Sequence, residues 1–197
     1  PNVEILGYQP TEVLRDLISR TAFAITAEDA RYYLAGALLL LDKDGASMVA
    51  TDGHRLSYAQ RKAPLKLSEP QRVLVPRKAI QELARLLETE DSATFQQVEN
   101  HLVFGVGART LSSKMIEGQF PAFEKVIALT GDKKVELQRD GLATAIRRVS
   151  LLSSERSRAV RLTLGEGKLD LSASSPDLGE AKESLSADYK GAGVEIG

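Results

Sequence analysis

The residues best placed to do chemistry stand together in Ala50-Thr51-Asp52-Gly53-His54-Arg55-Leu56. A hydroxyl, a carboxylate, an imidazole and a guanidinium fall here within a few positions. Asp-Gly predicts a tight turn in which glycine is free to take a positive φ. His54 and Arg55 then leave the turn for the next strand. A hydrolytic reading would set His54 beside Asp52 and take Thr51 or Ser57 as the nucleophile. Nothing else in the chain supports it, because no Gly-x-Ser-x-Gly elbow occurs and the only other histidine is His101. Two isolated histidines also lack metal-ligand spacing. No catalytic residue, metal or cofactor is therefore expected, and taken alone the segment reads as a structural turn.

Composition narrows the classes further. The 197 residues are 43% apolar and 27% charged, an ordinary balance for a folded globular chain long enough for a real core. There is no cysteine, hence no disulfide framework, thiolate metal site or thiol nucleophile, which fits a reducing compartment. The longest apolar run, around Ala37 to Leu41, is strand-sized, well short of the ~20 residues a membrane span needs. With a net charge of −1, any nucleic-acid role must come from local sorting of charge rather than bulk basicity.

The elements that would position the Thr51–Leu56 turn recur along the chain. Short β-forming runs open at Val3-Glu4-Ile5-Leu6, Val73-Leu74-Val75, Val135-Glu136-Leu137 and Val194-Glu195-Ile196, about every 60 to 70 residues. The first three each lead into an amphipathic helix pattern. Helices are expected over Pro10 to about Thr21 (stripe Val13, Leu14, Leu17, Ile18, Ala22), Pro76 to about Glu88 (Ala79, Ile80, Leu83, Ala84, Leu86, Leu87) and about Asp140 to Leu152 (Leu142, Ala145, Ile146, Val149). Hairpins are expected over 38–50, 95–104 and 160–172. One helix followed by hairpins, repeated, points to an α+β fold of antiparallel sheets with helices on one face. The polar, Gly-bearing stretch Leu129 to Lys134 reads as a linker. The fourth run ends at Gly197 with no helix after it, so the chain is expected to be a piece of something longer.

Ala50 to Leu56 resembles the signature of the bacterial sliding-clamp family, the β subunit of the replicative DNA polymerase III. Arg31-Tyr32-Tyr33-Leu34-Ala35-Gly36 is similar to the family's arginine-tyrosine turn into a strand. Val75-Pro76-Arg77-Lys78, followed by Glu82-Leu83, is similar to its second-helix opening. Ser113-Lys114-Met115-Ile116-Glu117-Gly118-Gln119-Phe120-Pro121 is similar to its Ser-Lys-aliphatic-acidic-Gly-x-Phe-Pro segment. The likeness covers nearly the whole chain. Ala128 departs from it, standing where many clamps have proline.

The resemblance implies a DNA-clamp fold: repeated β-α-β-β-β units, sheets outside, helices lining a central hole. Residues 1–127 would be the middle clamp domain and 128–197 the first half of the last, with the N-terminal clamp domain and the final half-domain outside this chain. The implied function is that of a cytoplasmic, non-catalytic processivity factor. Arg15, Arg20, Arg77, Lys78, Arg85, Arg147 and Arg148 would face duplex DNA, with Arg31, Tyr32 and Tyr33 at the rim. Each cation is equally an ordinary solvated helix charge, and either tyrosine could instead belong to the core. Leu34, Thr51, Gly53, His54, Arg55, Leu56, Pro121 and Val126 would line a pocket for peptides of the polymerase catalytic subunit, the clamp loader and other clamp-binding polymerases and repair proteins. Leu34 and Leu56 could equally be plain core. Leu151 and Leu152 would fall at the interface of a homodimeric ring.

Overall fold

The computed structural model describes residues 2–5, 10–27, 29–63, 65–66, 69–128, 131, 133–154 and 158–196. Contacts divide the chain into two compact units, Pro1–Ala122 and Phe123–Gly197. The sequence places this division at residue 127. The short helix α3 (Glu124–Ile127), which the sequence does not signal, belongs to the second unit. Half of the expected linker, residues 129, 130 and 132, lies outside the described residues, as do Leu6 of the first β-forming run and Gly197.

The first unit contains two repeats. Strand β1 (Asn2–Ile5), helix α1 (Pro10–Thr21) and strands β2 (Gly36–Asp42), β3 (Gly45–Thr51) and β4 (Leu56–Lys62) form the first; β5 (Leu65–Lys66) follows. Strand β6 (Gln71–Pro76), helix α2 (Arg77–Leu87) and strands β7 (Ala93–Val98), β8 (His101–Val106) and β9 (Arg109–Lys114) form the second. The opening strands are exchanged. β6 pairs antiparallel with β2, giving the order β4-β3-β2-β6, while β1 pairs antiparallel with β7 in β5-β1-β7-β8-β9. Each repeat thus completes the other's sheet, and neither can form its full hydrogen-bonded ladder alone.

The helices form where expected because their apolar positions repeat every three to four residues. Leu14, Leu17 and Ile18 of α1 and Ile80, Leu83 and Leu87 of α2 are buried in one core with Leu39, Leu41, Met48, Phe95, Leu102 and Phe104 from the two sheets. The Phe95 and Phe104 rings meet at 5.1 Å, tilted by 45°. Burying each such leucine or phenylalanine contributes roughly 1.5–3 kcal/mol. The first hairpin turns where Asp42 Oδ1 accepts hydrogen bonds from the N–H groups of Asp44 (2.8 Å) and Gly45 (2.9 Å).

The second unit carries α4 (Arg139–Ser150) and the sheet β12-β11-β10-β13, formed by β10 (Arg161–Gly165), β11 (Lys168–Ser175), β12 (Gly179–Ser186) and β13 (Val194–Ile196). β13 pairs antiparallel with β10, as β6 does with β2. The core holds Ala145, Val149, Leu169, Leu171 and Ala173. Three sequence expectations are corrected here. Val135-Glu136-Leu137 forms no strand, only a single antiparallel bridge from Glu136 to Asp188. Val135 is exposed and only Leu137 packs on the core, so little holds a longer pairing. Ile146, read as part of the core stripe, is exposed, and α4 stops two residues short of Leu152, at Ser150.

Candidate functional site

The Thr51–Leu56 segment links the end of β3 to the start of β4, and its own side chains fix its shape. Thr51 Oγ1 donates to the Arg55 carbonyl (2.7 Å) and accepts from the Gly53 N–H (3.0 Å). Asp52 Oδ1 accepts from the N–H groups of both His54 and Arg55 (3.0 Å each), and Arg55 Nε donates to Asp52 Oδ2 (3.1 Å). The Arg55 and His54 amides, aided by the Arg55 guanidinium, hold the Asp52 carboxyl below its ordinary range. This carboxylate is committed to backbone amides and Arg55, so Asp52 and His54 do not form a hydrolytic dyad. Arg55 Nη2 also donates to the Phe23 carbonyl (2.9 Å), and its guanidinium carbon lies 5.4 Å from the centre of the Phe23 ring. Ser57 Oγ donates to the Arg20 carbonyl (2.6 Å), tying β4 to the end of α1.

The Arg31-Tyr32-Tyr33 turn abuts two glycines. Gly53 has φ +90°, and a Cβ added there would come within 2.5 Å of Arg31 Nη1. Gly118 has φ +144°, and a Cβ there would meet the Tyr33 Cβ at 3.4 Å and Tyr32 Cε2 at 3.8 Å. The tyrosine rings meet edge-on, 5.7 Å apart at 86°. Tyr32 is 62% exposed and Tyr33 half-buried, so neither is a core residue. The turn is anchored from below: Ala35 N–H donates to the Tyr32 carbonyl (3.1 Å), and Arg77 N–H at the start of α2 donates to the Ala35 carbonyl (2.9 Å).

The remaining expected docking residues differ in accessibility. Leu34 is 4% exposed, Leu56 half-buried, Pro121 exposed beside buried Phe120, and Val126 exposed on α3 in the second unit. None of them lines the cleft of about 390 Å³ in the first unit, whose walls include Leu38, Leu74, Ile116 and Phe120. Phe23 is the contact residue that sequence reading missed. It follows the α1 stripe without belonging to it, and only the hairpin's return path brings it to Arg55.

The helix cations fall into two groups. Arg20 is paired with Asp16 (2.7 Å), which also binds Arg61 (2.6 Å); Arg85 sits 3.4 Å from Glu82; Arg148 is bound through its guanidinium to Glu183 on β12. The Arg148 guanidinium in turn holds the Glu183 carboxyl below its usual range. Arg15, Arg77, Lys78 and Arg147 make no ion pair among the described residues. Beyond the end of α4, Leu151 is 75% exposed and Leu152 half-buried. Among the described residues no group of acidic, histidine or cysteine side chains is arranged to hold a metal ion, and no helix is long and apolar enough to cross a membrane.

Two family models match almost end to end: DNA polymerase III beta subunit, central domain, over residues 9–122, and its C-terminal domain over residues 124–197. The beta sliding clamp of Pseudomonas putida is 42% identical over 185 residues, which is 93% of this chain and 50% of that protein. The beta sliding clamp of Escherichia coli K12 is 37% identical over 190 residues, 95% of this chain and 51% of that one. A crystal structure of a Pseudomonas aeruginosa sliding clamp bound to griselimycin superposes with a TM-score of 0.90 at 38% identity, covering 100% of this chain and 52% of that chain. The chain thus spans about half the length of the relatives it matches. With both domain models matched and the fold shared throughout, the chain belongs to the DNA polymerase III beta subunit family, the bacterial β sliding clamps.

Proposed function

We propose that this chain is part of a cytoplasmic sliding clamp that encircles duplex DNA and tethers the bacterial replicase, without catalysing a reaction itself. The single observation that carries the reading is the match of two consecutive clamp domain models over residues 9–122 and 124–197. In it, the first unit is the middle clamp domain and the second the opening half of the last. Arg15, Arg77, Lys78 and Arg147, and more weakly the ion-paired Arg20, Arg85 and Arg148, attract phosphates without reading bases. Arg31, Tyr32 and Tyr33 add contacts at the rim. Leu151 and Leu152 serve the subunit interface of a homodimeric ring.

The Thr51–Leu56 turn, with Leu34 and Pro121, is the docking surface for short peptides of the polymerase catalytic subunit, the clamp loader and other clamp-binding polymerases and repair proteins. What supports this is a turn pre-shaped by its own hydrogen bonds, which lowers the ordering cost of binding. The test is a chimera in which this chain replaces the matching 185-residue segment of the Pseudomonas putida clamp. It should support long products per polymerase binding event on a primed template, and Leu56→Asp should shorten them. Equal product length with and without the chimera would overturn the reading.

A further inference from the structure

Resting on that docking reading, we propose that Phe23 is a positioning residue of the docking surface: its ring and carbonyl hold the Arg55 guanidinium so that Nη1 faces an incoming peptide carbonyl or carboxylate. Three groups grip Arg55. Asp52 takes Nε at 3.1 Å, the Phe23 carbonyl takes Nη2 at 2.9 Å, and the Phe23 ring lies 5.4 Å from the guanidinium carbon. Nη1 makes no hydrogen bond among the described residues, which leaves it as the donor edge for a ligand.

The Phe23 ring has no packing duty that would explain it. It is 59% exposed, whereas its neighbours Ala24 and Ile25 are buried. The short 3₁₀ turn Ala22–Ala24 is held without the ring, by Ile25 N–H donating to the Ala22 carbonyl (3.2 Å) and by Thr21 Oγ1 donating to the Leu17 carbonyl (2.8 Å). A large apolar ring kept in water, with a cation on its face, fits a contact surface better than a core. Fixing the guanidinium before binding lowers the ordering cost that a free arginine would bring.

The experiment titrates the 197-residue chain with a short peptide carrying a Leu-Phe anchor, followed by amide shifts in NMR. Phe23→Ala should weaken binding about fivefold, the scale of a lost exposed cation–π contact. Phe23→Leu, which keeps an apolar side chain but no π face, should be equally weak, and Phe23→Tyr should restore binding. In an Arg55→Ala background, Phe23→Ala should weaken binding no further. The thermal midpoint should stay unchanged in every Phe23 variant, separating positioning from folding. Wild-type affinity in Phe23→Ala, rescue by leucine, or additive losses in the double variant would overturn the proposal while the docking reading stands. No binding by the wild type, or full binding by Leu56→Asp, would remove both.

Discussion

Asp52 shapes the turn by accepting from two amides and one guanidinium. Its charged form is the bonded one, so its native pKa lies below the unfolded value. The stability it lends is therefore present above the unfolded value and lost as pH falls through the lowered native one. Carboxyl-carbon NMR should show Asp52 titrating below the ordinary value of about 3.9, with the His54 and Arg55 amide shifts moving at the same midpoint. A midpoint at or above the ordinary value would contradict this account of the turn. Gly53 is under a different constraint. Alanine there must adopt a left-handed conformation, costing about 1–2 kcal/mol, and displace the Arg31 guanidinium. Gly53→Ala should lower the thermal midpoint modestly and perturb Arg31 resonances. The Asp-Gly pair made the turn legible in sequence. The Arg31–Gly53 and Arg55–Phe23 contacts were not legible, because they join residues more than twenty positions apart that meet only after folding.

At the scale of elements, the helices were the most legible because their stripes carry strong 3.6-residue periodicity, and α1 begins at its proline as read. The last strand of each repeat, β4, β9 or β12, was poorly marked because these strands are largely polar and exposed. The exchange of opening strands carries no sequence signal at all, and Gly36 is where it is tightest. A Cβ at Gly36 would lie 2.2 Å from the Val75 carbonyl oxygen and 2.7 Å from Ile116 Cδ1. Gly36→Ala should destabilise the first unit by about 1–3 kcal/mol, the usual cost of overpacking, as denaturant unfolding would measure. Ion pairing sorts the helix cations in a way sequence could not. Each of Arg15→Gln, Arg77→Gln and Lys78→Gln should reduce the salt slope of duplex binding by about one. Arg148→Gln should reduce it less, because its guanidinium is already neutralised by Glu183, and should change stability little because the pair is exposed. Equal slopes for the two groups would show that pairing does not matter.

At the scale of the whole molecule, the recurring unit was the strongest signal in the sequence, and the structure gives it a physical reason. β6 and β13 each complete the sheet of the repeat before them, closing on β2 and β10, while β1 closes on β7 of the repeat after it. On the proposed function, the complete protein holds DNA by topology rather than by affinity. The most direct measurement loads the chimeric clamp onto nicked circular duplex and follows its retention at high salt before and after a single linearising cut. The account predicts retention on the circle and rapid loss from the linear molecule. Equal retention on both, or release from both at the same salt, would contradict it.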